Sequence, residues 1–209
     1  MPLQATHIKF ALDKKDQYRV QDLTKYISGA VYPDSRRFTG VGRHLTHNDN
    51  TLSPEFADTD FKKGWAVHFL CDRNFNRIMK KNLNELSIDA NSTKVGSGYW
   101  FTRQAILGVL DIELFGHFDI QPYLPMLNYL ENPCGESVES IKRFNKTIQG
   151  VYAGKKKIGL EDIRQLWFEL EAGNKEVVDK VIEKSEEIMN DQEVIKKINS
   201  LYQKMLEFK

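Results

Sequence analysis

The chain has 209 residues, enough for one well-packed core, and its length does not demand a second domain. Its 30 Lys and Arg against 29 Asp and Glu leave it almost neutral, so no bulk field recruits nucleic acid or acidic lipid over the whole surface. Only two cysteines, Cys71 and Cys134, are present, which excludes a disulfide framework and any cysteine-rich zinc site.

In chain order, Thr6 is the candidate N-cap of a first short helix over 6–14, with Ile8, Ala11 and Leu12 apolar and His7 in its first turn. Asp22 then precedes Leu23, Tyr26, Ile27 and Ala30, a spacing that predicts a second amphipathic helix. Pro33 disfavours the helical conformation at Tyr32, so this helix should stop at about Val31 and leave Asp34 in the first turn beyond it. Residues 34–57 contain Gly40, Gly42, Pro54 and many polar side chains but no sustained periodicity, which predicts a long loop of a length often tied to function. It carries Arg36, Arg37, Arg43, His44, His47 and Asp49.

The next stretch reads as a central helix with an anomaly on its buried side. Positions 61, 65, 68, 72, 75 and 79 recur at alternating steps of four and three, one face of a helix. Phe61, Trp65, Phe75 and Met79 suit a core, whereas His68 and Asp72 do not. A charged group there is costly unless it is paired or binds a metal, so the two need a partner. Cys71 reads as a small packing residue and Cys134 as a loop thiol.

Residues 91–98, rich in Gly and Ser, predict a flexible connection, read as a linker in preference to a lid. Helical patterns return over 100–117, 120–131 with Pro122 in the first turn, 136–150, and 160–172 closed by Gly173. From 174 onward a charged helical tail carries the apolar stripe Val177, Val181, Ile188, Ile195, Ile198, Tyr202 and Met205, with a break near Asn190-Asp191. It predicts a helical hairpin packed on the core rather than a coiled-coil arm, because the heptad run is short and irregular. The fold class expected is all-α: a single domain over 1–209 with a metal-site core over 1–150, a long metal-bearing loop, and a C-terminal helical extension over 151–209.

Three of the five histidines and two carboxylates sit at the unusual places: His7, Asp34, His47, His68 and Asp72. Nitrogen and carboxylate donors drawn from several elements suit zinc or a similar divalent ion, which also makes their burial tolerable. His44 and His47 are both candidates within Arg43-His44-Leu45-Thr46-His47. Asp49 reads as an exposed loop charge, and His117 as a helix C-terminal histidine favoured by the macrodipole.

The ordered set His7, Ser28-Gly29-Ala30-Val31-Tyr32-Pro33-Asp34-Ser35, Thr46-His47 and His68-Phe69-Leu70-Cys71-Asp72 resembles the bacterial zinc-dependent phospholipase C and P1-type nuclease superfamily. The resemblance covers residues 7–72 and implies a compact helical bundle that hydrolyses phosphate esters at a zinc cluster. It favours His47 over His44. It implies that Asp34, His47, His68 and Asp72 bind one zinc, with Asp72 bridging to a second ion that His7 also holds. A further family histidine and a His-x-x-x-Glu are not matched, since the only later histidine is His117 with Glu113 before it. One or two ions are therefore expected, with iron or manganese as alternatives to zinc.

A metal with an open position lowers the pKa of bound water to about 7 and so supplies hydroxide at neutral pH. Asp34 or Asp72 could accept the proton, and Arg36, Arg37 and Arg43 could clamp phosphate oxygens, unless they are solvated loop charges. The substrate expected is a small phosphate ester, a phosphodiester or phospholipid-like molecule. An HD-type phosphohydrolase is the second reading, although no histidine is followed by Asp. The third is a non-catalytic helical protein whose closed structural metal site staples the loop while the tail binds a protein partner. No segment approaches the ~18 apolar residues of a membrane span and no signal core is seen, so a cytoplasmic location is expected.

Overall fold

In the computed structural model, which describes residues 3–47, 53–82, 96–170 and 174–208, every regular element is helical. The α-helices among these residues are α1 (Gln4–Lys14), α2 (Leu23–Val31), α3 (Arg36–Thr39), α4 (Arg43–Thr46), α5 (Asp60–Asn82), α6 (Gly98–Phe115), α7 (Val138–Tyr152), α8 (Leu160–Leu170), α9 (Lys175–Met189) and α10 (Gln192–Glu207). Two 3-10 helices, Tyr32–Ser35 and Gln121–Asn128, join α2 to α3 and α6 to α7. The all-α bundle expected from the apolar spacing is what forms.

Helix α5 is the centre of the assembly and packs against α1, α2 and α10. All six residues of its expected inner stripe are buried, Phe61, Trp65, His68, Asp72, Phe75 and Met79 alike. Its contact with α2 is unusually close, and two glycines permit it. A Cβ on Gly64 would stand 2.0 Å from the Tyr26 carbonyl oxygen, and one on Gly29 would stand 2.0 Å from that of Phe61. Asp60, at the start of α5, accepts hydrogen bonds from the backbone N–H of Asp22 (2.6 Å) and Gln21 (3.0 Å), while Asp22 caps α2 by accepting from Lys25 N–H.

The tail forms the expected hairpin of α9 and α10, which packs on the core. One apolar cluster runs from Leu3 to Met205, and Asn74 of α5 donates to the carbonyls of Met205 (2.9 Å) and Phe208 (3.3 Å) at the end of α10.

Five expectations need correction or fall outside the described residues. Thr6 is not the N-cap of α1; it lies inside the helix, and its N–H and Oγ1 both donate to Asp111 of α6 (2.7 and 2.8 Å). A carboxylate from across the core thus supplies the partner that the helix end lacks. The long loop over 34–57 contains the first 3-10 turn and the short helices α3 and α4, each too brief to show a repeat, while residues 48–52 are outside the description. Over the expected helix 120–131 only Gln121–Asn128 is helical, and it is a 3-10 helix, because Pro122 and Pro125 supply no N–H to an α-helical ladder. Of the 91–98 linker only its end is described, where Ser97 caps α6 by accepting from Trp100 N–H; Gly173 also lies outside the described residues.

Gly64→Ala should therefore force α5 away from α2. A loss of roughly 1–3 kcal/mol is expected for such overpacking, read as a Tm lowered by about 3–10 °C in thermal denaturation. A variant as stable as the parent would contradict the close-contact account.

Candidate metal centre

The five side chains singled out in the sequence converge from four places in the fold. His7 comes from the middle of α1, Asp34 from the 3-10 turn after α2, His47 from the residue ending α4, and His68 with Asp72 from the inner face of α5. Asp34, His7 and His68 are fully or almost fully buried, and Asp72 is 7% exposed.

Each side chain is aimed by a contact outside the cluster. At the end of α2 the Ala30 carbonyl oxygen lies 2.8 Å from His68 Nδ1. A carbonyl only accepts, so Nδ1 carries the proton and Nε2 presents its lone pair to the cluster. Trp65 Nε1 donates to the Thr46 carbonyl (2.8 Å), and Thr46 Oγ1 lies 3.0 Å from His47 Nδ1, which turns His47 Nε2 inward. Gln4 Nε2 donates to Asp34 Oδ2 (2.9 Å). His7 stacks face to face on His68, with ring centroids 3.8 Å apart. Thr6, its neighbour, is anchored to Asp111, whose other oxygen accepts from Tyr152 OH at 2.7 Å.

The two carboxylates divide their oxygens. Asp34 Oδ1 lies 3.7 Å from His47 Nε2 and 3.9 Å from His68 Nε2, and Asp72 Oδ2 lies 4.0 Å from each. Asp34 Oδ2 and Asp72 Oδ1 instead face His7 Nε2, at 3.9 and 3.8 Å. None of these is a hydrogen-bond distance. His7 Nδ1 and Nε2, His47 Nε2, His68 Nε2 and Asp34 Oδ1 are buried polar atoms with no hydrogen-bond partner among the described residues. Leaving such atoms unsatisfied costs about 1–3 kcal/mol each, so the arrangement calls for a group that meets several lone pairs at once.

A cation fits. Two triads, His7 with His68 and Asp72, and Asp34 with His47 and His68, have donor atoms within 4.8 Å of one another and can hold a metal ion. Tetrahedral zinc with bonds of about 2.0–2.1 Å sets its donors roughly 3.4 Å apart, so pairs at 3.7–4.0 Å need contract only slightly. The protonation states also suit metal binding. Burial, reinforced by the charge of His68, pushes His7 well below its ordinary value, and the same causes push His47 down to about 2. Burial opposes ionisation of Asp72, yet nearby positive charge, only part of it from the imidazoles, holds its carboxyl well below the usual carboxylate range.

The cluster meets solvent at a cavity of about 340 Å³. His47, Asp72 and Phe69 form its inner end, and Arg43, Arg73, Asn76, Arg77 and Lys80 are the other described residues that line it. Of the three arginines singled out in the sequence, Arg43 lines the cavity. Arg36 and Arg37, on α3, are half-buried and not part of that wall, although Arg36 contributes to the depression of His47. His44 is exposed on α4 and His117 is exposed beyond α6, while Asp49 lies outside the described residues. Arg73, Asn76, Arg77 and Lys80 were missed in the sequence, though they share with Phe69 a second face of α5 beside the one that carries His68 and Asp72. Arg103 Nε and Nη2 both donate to Asn76 Oδ1 (3.1 and 2.7 Å), which leaves the Asn76 amide hydrogens as its donors in the cavity.

In comparisons with known proteins, no family model, no curated protein and no solved structure matches this chain.

The histidine states set a pH dependence for the metal-free protein. Unfolded histidines take up protons below about pH 6.5 while His7 and His47 stay neutral in the fold, so stability is lost as pH falls. Asp111 runs the other way, because burial raises its folded value to about 6 and its ionisation in the fold weakens stability as pH rises through that value. Two protons against one leave a net loss of about 1.4 kcal/mol per pH unit from pH 6 towards 4.5. Urea denaturation of chelator-treated protein should show it; a flat or rising profile would contradict the neutral assignment.

Proposed function

We propose that this protein is a metal-dependent hydrolase of phosphate esters, with zinc, or alternatively iron or manganese, held by His7, Asp34, His47, His68 and Asp72. The observation that carries the reading is the cluster of buried, unsatisfied nitrogen and oxygen atoms at the inner end of a cavity whose outer wall is cationic. Imidazole and carboxylate together suit these metals. The way each aspartate turns one oxygen to His7 and the other to His47 and His68 supports one ion or two ions bridged by carboxylates. The ordered motifs shared with the bacterial zinc-dependent phospholipase C and P1-type nuclease superfamily support the same assignment.

A divalent ion in this cluster supplies a nucleophile at neutral pH by acidifying water, and it screens charge on a phosphate. The chain's own groups do the rest. Asp72, at the edge of the cavity, is placed to accept a proton from the attacking water, and Asp34 behind it is held in orientation by Gln4. Arg43 and Arg73 are placed to bind non-bridging phosphate oxygens, and Asn76 offers its amide hydrogens. Phe69 restricts water on the apolar side of the cavity.

A non-catalytic metal site is the second reading. It is favoured by the closed set of His47, His68, Asp34 and Asp72, which offers four protein donors to one position.

Elemental analysis of purified protein should find zinc, iron or manganese at or above one equivalent, and metal-replete protein should hydrolyse bis(p-nitrophenyl) phosphate or p-nitrophenyl phosphate. His68→Ala should lose metal and reduce hydrolysis by at least about 100-fold, as expected when a metal ligand is removed. Activity that survives the substitution would refute the site, and a metal-replete protein inactive on both esters would favour the structural reading.

A further inference from the structure

We propose that the cavity selects phosphate esters bearing a second anionic group, and that Arg77 and Lys80 form the subsite for it. This rests on the phosphoesterase reading for the position of the reacting phosphate. Arg43, Arg73, Arg77 and Lys80 line the cavity, and Asp72, at its inner end, is the only carboxylate among the described residues of the wall. None of the four cations is paired with a carboxylate among the described residues. Several lysines and arginines elsewhere on the helices are instead paired with acids three or four positions away.

The cations stand at two levels. Arg43 and Arg73 are beside His47 and Asp72, where one phosphate would be engaged. Arg77 and Lys80 follow five and eight residues after Asp72 on α5, about 7.5 and 12 Å along the axis at 1.5 Å per residue. One tetrahedral anion beside Asp72 does not reach across the two helical turns to Lys80. Asn76 lies between the two levels, its oxygen held by Arg103 and its amide hydrogens turned to the cavity, so it suits the acceptor atoms of a connecting chain. A cavity of about 340 Å³ admits a small bisphosphorylated molecule. It lies at the small end of the range for ligand pockets.

The test is calorimetric binding of hexane-1,6-diyl bisphosphonate and hexylphosphonate, neither of which can be hydrolysed, to the metal-replete full chain. The bisphosphonate should bind at least tenfold more tightly than the monophosphonate. In Arg77→Gln/Lys80→Gln, two exposed positions on a helix, that ratio should fall below about twofold. Equal binding of both ligands to the parent protein, or a preference that persists in the double variant, would overturn the subsite. A preference seen in a protein that neither holds metal nor cleaves phosphate esters would support the subsite and refute the hydrolase reading. Metal-dependent hydrolysis without the preference would refute the subsite alone.

Discussion

The approach of α2 to α5 is the constraint on which the centre depends. Gly29 and Gly64 remove the only side-chain atoms that would keep the two backbones apart, since a Cβ at either position would lie 2.0 Å from a carbonyl oxygen of the other helix. Because the helices meet so closely, the carbonyl of Ala30 at the end of α2 is within 2.8 Å of His68 Nδ1. That one bond selects the tautomer of His68 and turns its second nitrogen into the cluster. The same packing places the turn after α2, and with it Asp34, opposite the face of α5 that carries Asp72.

The centre runs against the usual economy of a protein interior. Five polar side chains occupy buried space at the heart of a helical bundle, and they sit 3.7–4.0 Å apart, too far for hydrogen bonds and near enough to share an ion. Most buried polar groups of the fold are handled differently. Asp111 accepts from Thr6 and Tyr152, and Asn74 donates to the carbonyls ending α10, so these groups brace α1 and α10 against the core. Outside the centre, buried polar atoms without a partner among the described residues occur singly, as at Asn74 Oδ1 and Trp167 Nε1, whereas in the cluster four imidazole nitrogens and Asp34 Oδ1 gather in one place. That contrast argues for a ligand and against incidental burial.

Much of the arrangement was legible in the sequence, because helical periodicity is a local signal. The stripe from Phe61 to Met79 marked the inner face of α5, and His68 and Asp72 stood out on it as residues that a core does not accept alone. Pro33 marked the end of α2 and so placed Asp34 in a turn. What escaped depends on pairs distant in the chain. Gly29 and Gly64 have meaning only against each other's backbone, and Thr6 looked like a cap because Asp111, more than a hundred residues away, was not visible as its partner. Arg73, Arg77 and Lys80 lie off the apolar stripe of α5, and nothing in the pattern shows that their side opens onto the cluster. Single helical turns such as α3 and α4, and the proline-bearing 3-10 helix, fall below the length at which a period can be detected.

The central claim is that these five side chains surround a metal position. Anomalous diffraction from crystals grown with zinc, recorded on both sides of the zinc absorption edge, tests it most directly. The account predicts a peak bounded by His47 Nε2, His68 Nε2, Asp34 and Asp72, with or without a second one beside His7. No peak there at full occupancy of zinc in solution, or a peak only at surface residues, would contradict it.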